Sequence, residues 1–107
     1  MSLDVYLKVT KPTEIYSANI THNLGGMAEA AGIYMHLWRP DEIGITKAAQ
    51  LIDPLRNGLA RLKADPAKFE SHNSPNGWGL YKHFIPFVEH YLAACMENPD
   101  ADVEASR

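Results

Sequence analysis

The stretch Leu3-Asp4-Val5-Tyr6-Leu7-Lys8-Val9 decides the fold. Four aliphatic residues alternate with Asp4, Tyr6 and Lys8, and a period of two places them on one face of a half-buried strand. Thr10-Lys11-Pro12-Thr13 then interrupts the pattern, because proline has no N–H for a ladder and fits a turn. Glu14 to Ala18 is predicted to return as a second strand, closing a hairpin. The far end of the chain repeats the signal. After the breaker Asn98-Pro99-Asp100, the residues Ala101, Val103 and Ala105 alternate with Asp102, Glu104 and Ser106. This segment is predicted to pair with the hairpin, so that both termini enter one small sheet.

Between these ends the spacing is helical. Thr21 is a suitable N-cap, and Leu24, Met27, Ala28 and Ala31 follow at i, i+3, i+4 and i+7, ahead of a stop at Gly32. Ile33 to Trp38 extends as a short turn ended by Pro40. From Thr46 onward, Ala48, Ile52, Leu55, Leu59 and Leu62 form an apolar face. Pro54 predicts a kink there, or a break with Asp53 as a fresh cap. Asp65-Pro66 caps a short helix through Phe69, and Ser71 to Gly79 reads as a loop with Asn76-Gly77 at its turn. The last helix carries Phe84, Val88, Tyr91 and Cys95 on one face, with Phe87 and Leu92 beside them. It accommodates Pro86 if it starts near Lys82. The expected fold is α+β: a two- or three-stranded antiparallel sheet formed by both termini, packed against three to five helices in a single domain, 1–107.

Composition narrows the function classes. With 107 residues there is room for one core. A net charge of −3 excludes a generally basic nucleic-acid coat, so no nucleic-acid polymer is expected as a partner. No apolar run approaches the roughly 20 residues of a membrane span, and the N-terminus lacks the pattern of a secretion signal. The single cysteine, Cys95, cannot form an internal disulfide. A cytoplasmic protein is expected, and the Asn19-Ile20-Thr21 glycosylation sequon is discounted accordingly.

Three polar stretches could carry chemistry. Tyr16-Ser17-Ala18-Asn19-Ile20-Thr21-His22-Asn23-Leu24 runs from a strand into a helix start, where free N–H groups favour anions. Tyr16, Asn19, His22 and Asn23 are the candidates there; alternatively Thr21 and Asn23 satisfy the helix end while Asn19 bonds the strand edge. In His36-Leu37-Trp38-Arg39-Pro40, Arg39 offers a fork for phosphate and Trp38 a face for a ring. Alternatively Trp38 is core and Arg39 pairs with Asp41 or Glu42. In the third, Asn76, Trp78 and Tyr81 either form a ligand loop or fold back so that Trp78 plugs the helices. His83 and His90, seven apart, read as ordinary surface, and no metal-ligand spacing is present. No catalytic residues, cofactor or metal are assigned. Glu97, Asp100, Asp102 and Glu104 make the C-terminal segment acidic, either as a solvated strand edge or as a footprint for a basic partner.

The motifs Tyr16 to Leu24, Ala30-Ala31-Gly32-Ile33-Tyr34, Leu37-Trp38-Arg39-Pro40 and Asn76-Gly77-Trp78-Gly79 together resemble a family of small phage, prophage and bacterial proteins. The likeness extends from Leu3-Asp4-Val5-Tyr6-Leu7 to Ser106-Arg107, with Gly26 and Pro86 as departures. It implies a setting in the host-cell cytoplasm and no particular activity. Combined with the candidate residues, it leads to an expected non-enzymatic binder of a small anionic, nucleotide-like ligand. A cyclic nucleotide or ADP-ribose-like immune signal of the host, sequestered by the protein as a possible homo-oligomer, fits that expectation. The alternatives are a protein–protein inhibitor of a host defence enzyme and a metal-independent phosphodiesterase using His22.

Overall fold

The computed structural model describes every residue except Met1, Lys11, Pro12, Ser74, Asn76 and Trp78; for Val9, Thr10, Thr13 and Glu14 it describes the backbone alone. The chain is α+β. Strand β1 (Ser2–Thr10) pairs antiparallel with β2 (Thr13–Thr21) on one side and with β3 (Asp102–Ser106) on the other, giving the order β2-β1-β3. Both termini therefore sit in one sheet. The turn residues Lys11 and Pro12 lie outside the described residues, but the pairing Thr10↔Thr13 establishes the hairpin.

The alternation at the N-terminus does what its period dictates. Leu3, Val5 and Leu7 are fully buried against the helices, joined from the flanking strands by Ile20, Ala18, Val103 and Ala105. From Ser2↔Thr21 to Leu7↔Tyr16 the β1–β2 register is regular, and Ile15 is the extra residue at the shift before Lys8↔Glu14. β2 extends to Thr21, three residues past the expected end.

The helices follow as α1 (Gly25–Ala30), α2 (Tyr34–Trp38), α3 (Ala49–Ala64), α4 (Pro66–Glu70) and α5 (Tyr81–Glu97). Single 3-10 turns occupy His22–Leu24 and Pro40–Ile43. Gly32, at φ +79°, ends the α1 region as its sequence position predicts. Asp65 caps α4 by accepting from the Lys68 N–H.

One expectation about α3 is corrected: Pro54 does not break it with Asp53 as a fresh cap, since the helix runs through and Asp53 pairs with Arg56 at 3.2 Å. Ahead of the helix, Gln50 Oε1 accepts from the backbone N–H groups of Thr46 and Lys47 at 2.7 and 2.8 Å. The proline lies in the second turn, where the loss is its own backbone bond, and buried Leu51, Leu55 and Leu62 hold both sides against the core. α5 behaves the same way at Pro86, starting at Tyr81 and burying Phe84, Phe87, Val88, Tyr91, Leu92 and Cys95.

Packing of α3 against the segment between α1 and α2 turns on Gly58. A Cβ at that position would lie 2.5 Å from Ile33 Cγ2, so the two backbones approach as closely as they do only because the side chain is absent.

Candidate functional site

β2 is an edge strand, and α5 crosses the sheet beside it. Between them lies an open cleft of about 970 Å³. β2 and the 3-10 turn that follows contribute Tyr16, an unbroken run from Ala18 to Leu24, and hence all of Asn19, His22 and Asn23. α5 contributes His83, Phe87 and His90, while Gly77 and Gly79 border the cleft from the loop. In a strand, neighbouring residues point to opposite faces. That consecutive residues line the cleft means it follows the strand's edge, not one face of the sheet.

His83, Phe87 and His90 stand at i, i+4 and i+7, so one helix face presents two exposed imidazoles around a nearly buried ring. Sequence reading placed both histidines on ordinary surface. The missed signal was Phe87 between them, an aromatic that belongs to the floor of the cleft as well as to the core.

Asn19, His22 and Tyr16 are each held by a defined partner. Asn19 Nδ2 donates to Ser2 Oγ at 2.8 Å and to Asp4 Oδ1 at 2.7 Å across the β1–β2 pairing, leaving the amide oxygen as the acceptor that can meet a ligand. The Trp38 indole N–H donates to His22 Nδ1 at 2.8 Å. With Nδ1 accepting, the ring N–H lies at Nε2, so the indole fixes both the orientation and the donor of His22. Tyr16 stacks on Tyr91 with ring centroids 5.8 Å apart and planes 8° from parallel. Burial, and secondarily Cys95, push the Tyr16 phenol above its usual range. Gly79, at φ +104°, lets the loop lie against β2: a Cβ there would come within 2.8 Å of Asn23 Cβ.

The nine candidate residues thus divide. Tyr16, Asn19, His22 and Asn23 converge on the cleft. Trp38 does not line it; it is 2% exposed, stacked on Tyr34 at 5.3 Å, and reaches the cleft only through His22. Arg39 is drawn away into an ion pair with Glu42 at 2.7 Å, since a carboxylate three residues on is within its reach. Tyr81 packs beneath the loop, its hydroxyl donating to the Leu62 carbonyl at 2.7 Å. Asn76 and Trp78 lie outside the described residues.

The helix start also differs from expectation. A single 3-10 turn and a six-residue helix follow β2, and Thr21 Oγ1 accepts from the Asn23 N–H at 3.3 Å. With such a short helix and its own cap in place, the dipole argument for an anion there falls away. The cleft's polarity comes from imidazoles and amides; Lys, Arg, Asp and Glu do not line it among the described residues.

Elsewhere, the acidic C-terminal strand is internally balanced: Glu104 pairs with Lys8 at 3.2 Å and Asp102 with Lys47. Among the described residues, no three His, Cys, Asp or Glu side chains come together to hold a metal, and no helix is long and apolar enough to cross a membrane. Cys95 is buried, and burial pushes its thiol up to about 12, which removes it from nucleophilic chemistry near neutral pH. Compared with protein-family models, with curated proteins and with solved structures, the chain matches none.

Proposed function

We propose that the protein binds, without turning over, a small nucleotide-derived ligand in the cleft between β2 and α5. The observation that carries this is convergence. Tyr16, Asn19, His22 and Asn23, varied in chemistry and within eight residues of sequence, meet His83, Phe87 and His90 across one concavity. Aromatic floor, imidazole donors and an amide acceptor are the groups that hold a base or ring together with a few polar oxygens. Without a lysine or arginine among its described lining residues, the cleft suits phosphodiesters, each bearing a single charge, better than a polyphosphate chain. Given the resemblance to phage and prophage proteins, the ligand class fits a host immune signal removed by sequestration.

A protein inhibitor docking through the acidic C-terminal strand has weaker support, because Lys8 and Lys47 already neutralise Glu104 and Asp102. A phosphodiesterase centred on His22 has weaker support too: Nδ1 is engaged by Trp38 and no carboxylate lines the cleft among the described residues. Calorimetry against cyclic mono-, di- and trinucleotides and ADP-ribose derivatives tests the proposal. Saturable heat with at least one, lost in Phe87→Ala and in His22→Ala, is the expected result; no heat with any of them overturns it.

A further inference from the structure

The two edges of the sheet are treated very differently. The outer edge of β3 is covered: Val103 N–H donates to the Thr46 carbonyl at 2.9 Å, and Lys47 bridges to Asp102. Ionised side chains add to that protection, with Asp102 held by Lys47 and Glu104 by Lys8. β2 keeps its one charged residue, Glu14, and its bulge at Ile15 at the hairpin end. From Tyr16 to Thr21 it has regular register with β1 and carries no charged residue, no proline and no glycine. Beside it stands Ile15, 39% exposed. Among the described residues no backbone segment pairs with that edge. A regular, uncharged edge of six residues is a template for another strand, and proteins that remain monomeric blunt such edges.

We propose that the occupant is a second copy of this chain, pairing β2 with β2 antiparallel about a two-fold axis to make one six-stranded sheet. A two-fold pairing sets a strand against itself, which is unfavourable when like charges face each other. Tyr16-Ser17-Ala18-Asn19-Ile20-Thr21 meets itself with no charge on either side, whereas β3, with two acids in five residues, would not. The cleft follows the same edge, so the second copy's strand walls its open side and brings the two clefts next to each other. The pairing itself does not depend on the ligand proposal; only the completed cleft rests on it.

The mass in solution by light scattering, measured over a dilution series, tests the pairing together with amide exchange. The wild type is expected at twice the chain mass. Exchange in the peptide covering 15–21 should be slowed in concentrated relative to dilute samples. Ser17→Lys, at an exposed position outside the cleft lining, should give a monomer with an unchanged melting curve, while Ser17→Thr stays dimeric. A wild type that is monomeric throughout overturns the pairing, as does a dimer whose 15–21 exchange is independent of concentration or that persists in both Ser17→Lys and Ile15→Lys. Cyclic di-AMP titrated into the same samples separates the two proposals. A monomer that binds it removes the pairing and keeps the ligand site, and a dimer inert to all nucleotides does the reverse.

Discussion

At the scale of single residues, side chains that the structure withholds matter as much as those it supplies. Alanine normally stabilises a helix interior over glycine by about 1 kcal/mol. At Gly58 the added methyl meets Ile33, and overpacking of this kind costs about 1–3 kcal/mol. Gly58→Ala is therefore expected to lower the melting temperature, and to lower it less in an Ile33→Ala background than in the wild type. A stabilised single variant in thermal melts contradicts the close approach of α3 to Ile33. Cys95 makes a kinetic prediction: with its thiol pushed up to about 12, native protein should resist thiol reagents near pH 8 and react in denaturant. His36 makes a pH prediction. Burial first, then the positive charge of Arg61, lower its proton affinity in the folded state; its Nδ1 is buried without a hydrogen-bond partner. The unfolded chain then takes up a proton that the folded one resists. This contribution to stability is complete above the ordinary histidine range and lost as the pH falls through the folded value. Melting temperature should thus drop on acidification below about pH 6.5, and less steeply in His36→Gln.

At the scale of elements, the strands were legible because β1 alternates strictly, and the apolar face of α5 was legible from Phe84, Val88, Tyr91 and Cys95. Pro54 misled because a proline in the second turn removes one backbone bond, while Leu51, Leu55 and Leu62 bury along the whole length of α3. The placement of four candidate residues in one cleft was also legible, since a polar run leaving an edge strand must lie at the sheet's rim. Their partners on α5 were not. Nothing local distinguishes His83 and His90 from surface until the crossing of α5 over β2 brings Phe87 beside Ala18 and Ile20 in the lining of one cleft. Trp38 and Arg39 show the converse: both have chemistry suited to a ligand, and local partners claim both. Trp38 still acts on the site through His22. Replacing it with Phe deletes the indole donor, and a hydrogen bond of that kind contributes about 1 kcal/mol. Ligand affinity should fall about fivefold by calorimetry; an unchanged affinity contradicts the positioning of His22 by Trp38.

On the scale of the whole molecule, the sheet and the five helices of the described residues share a core, and the polarity of the sheet is lopsided. β3 is sealed by Thr46, Lys47 and paired acids, while β2 is open and leads into the cleft. The account's central claim is that this open side is where a ligand binds. Its most direct test is a backbone amide NMR titration with cyclic di-AMP, cyclic trinucleotides and ADP-ribose. The predicted result is saturable shifts from at least one of them, concentrated in Asn19 to Leu24 and His83 to His90. Shifts confined to the separate hollow around Glu29, Tyr34 and His36, or no shifts with any of these compounds, would contradict it.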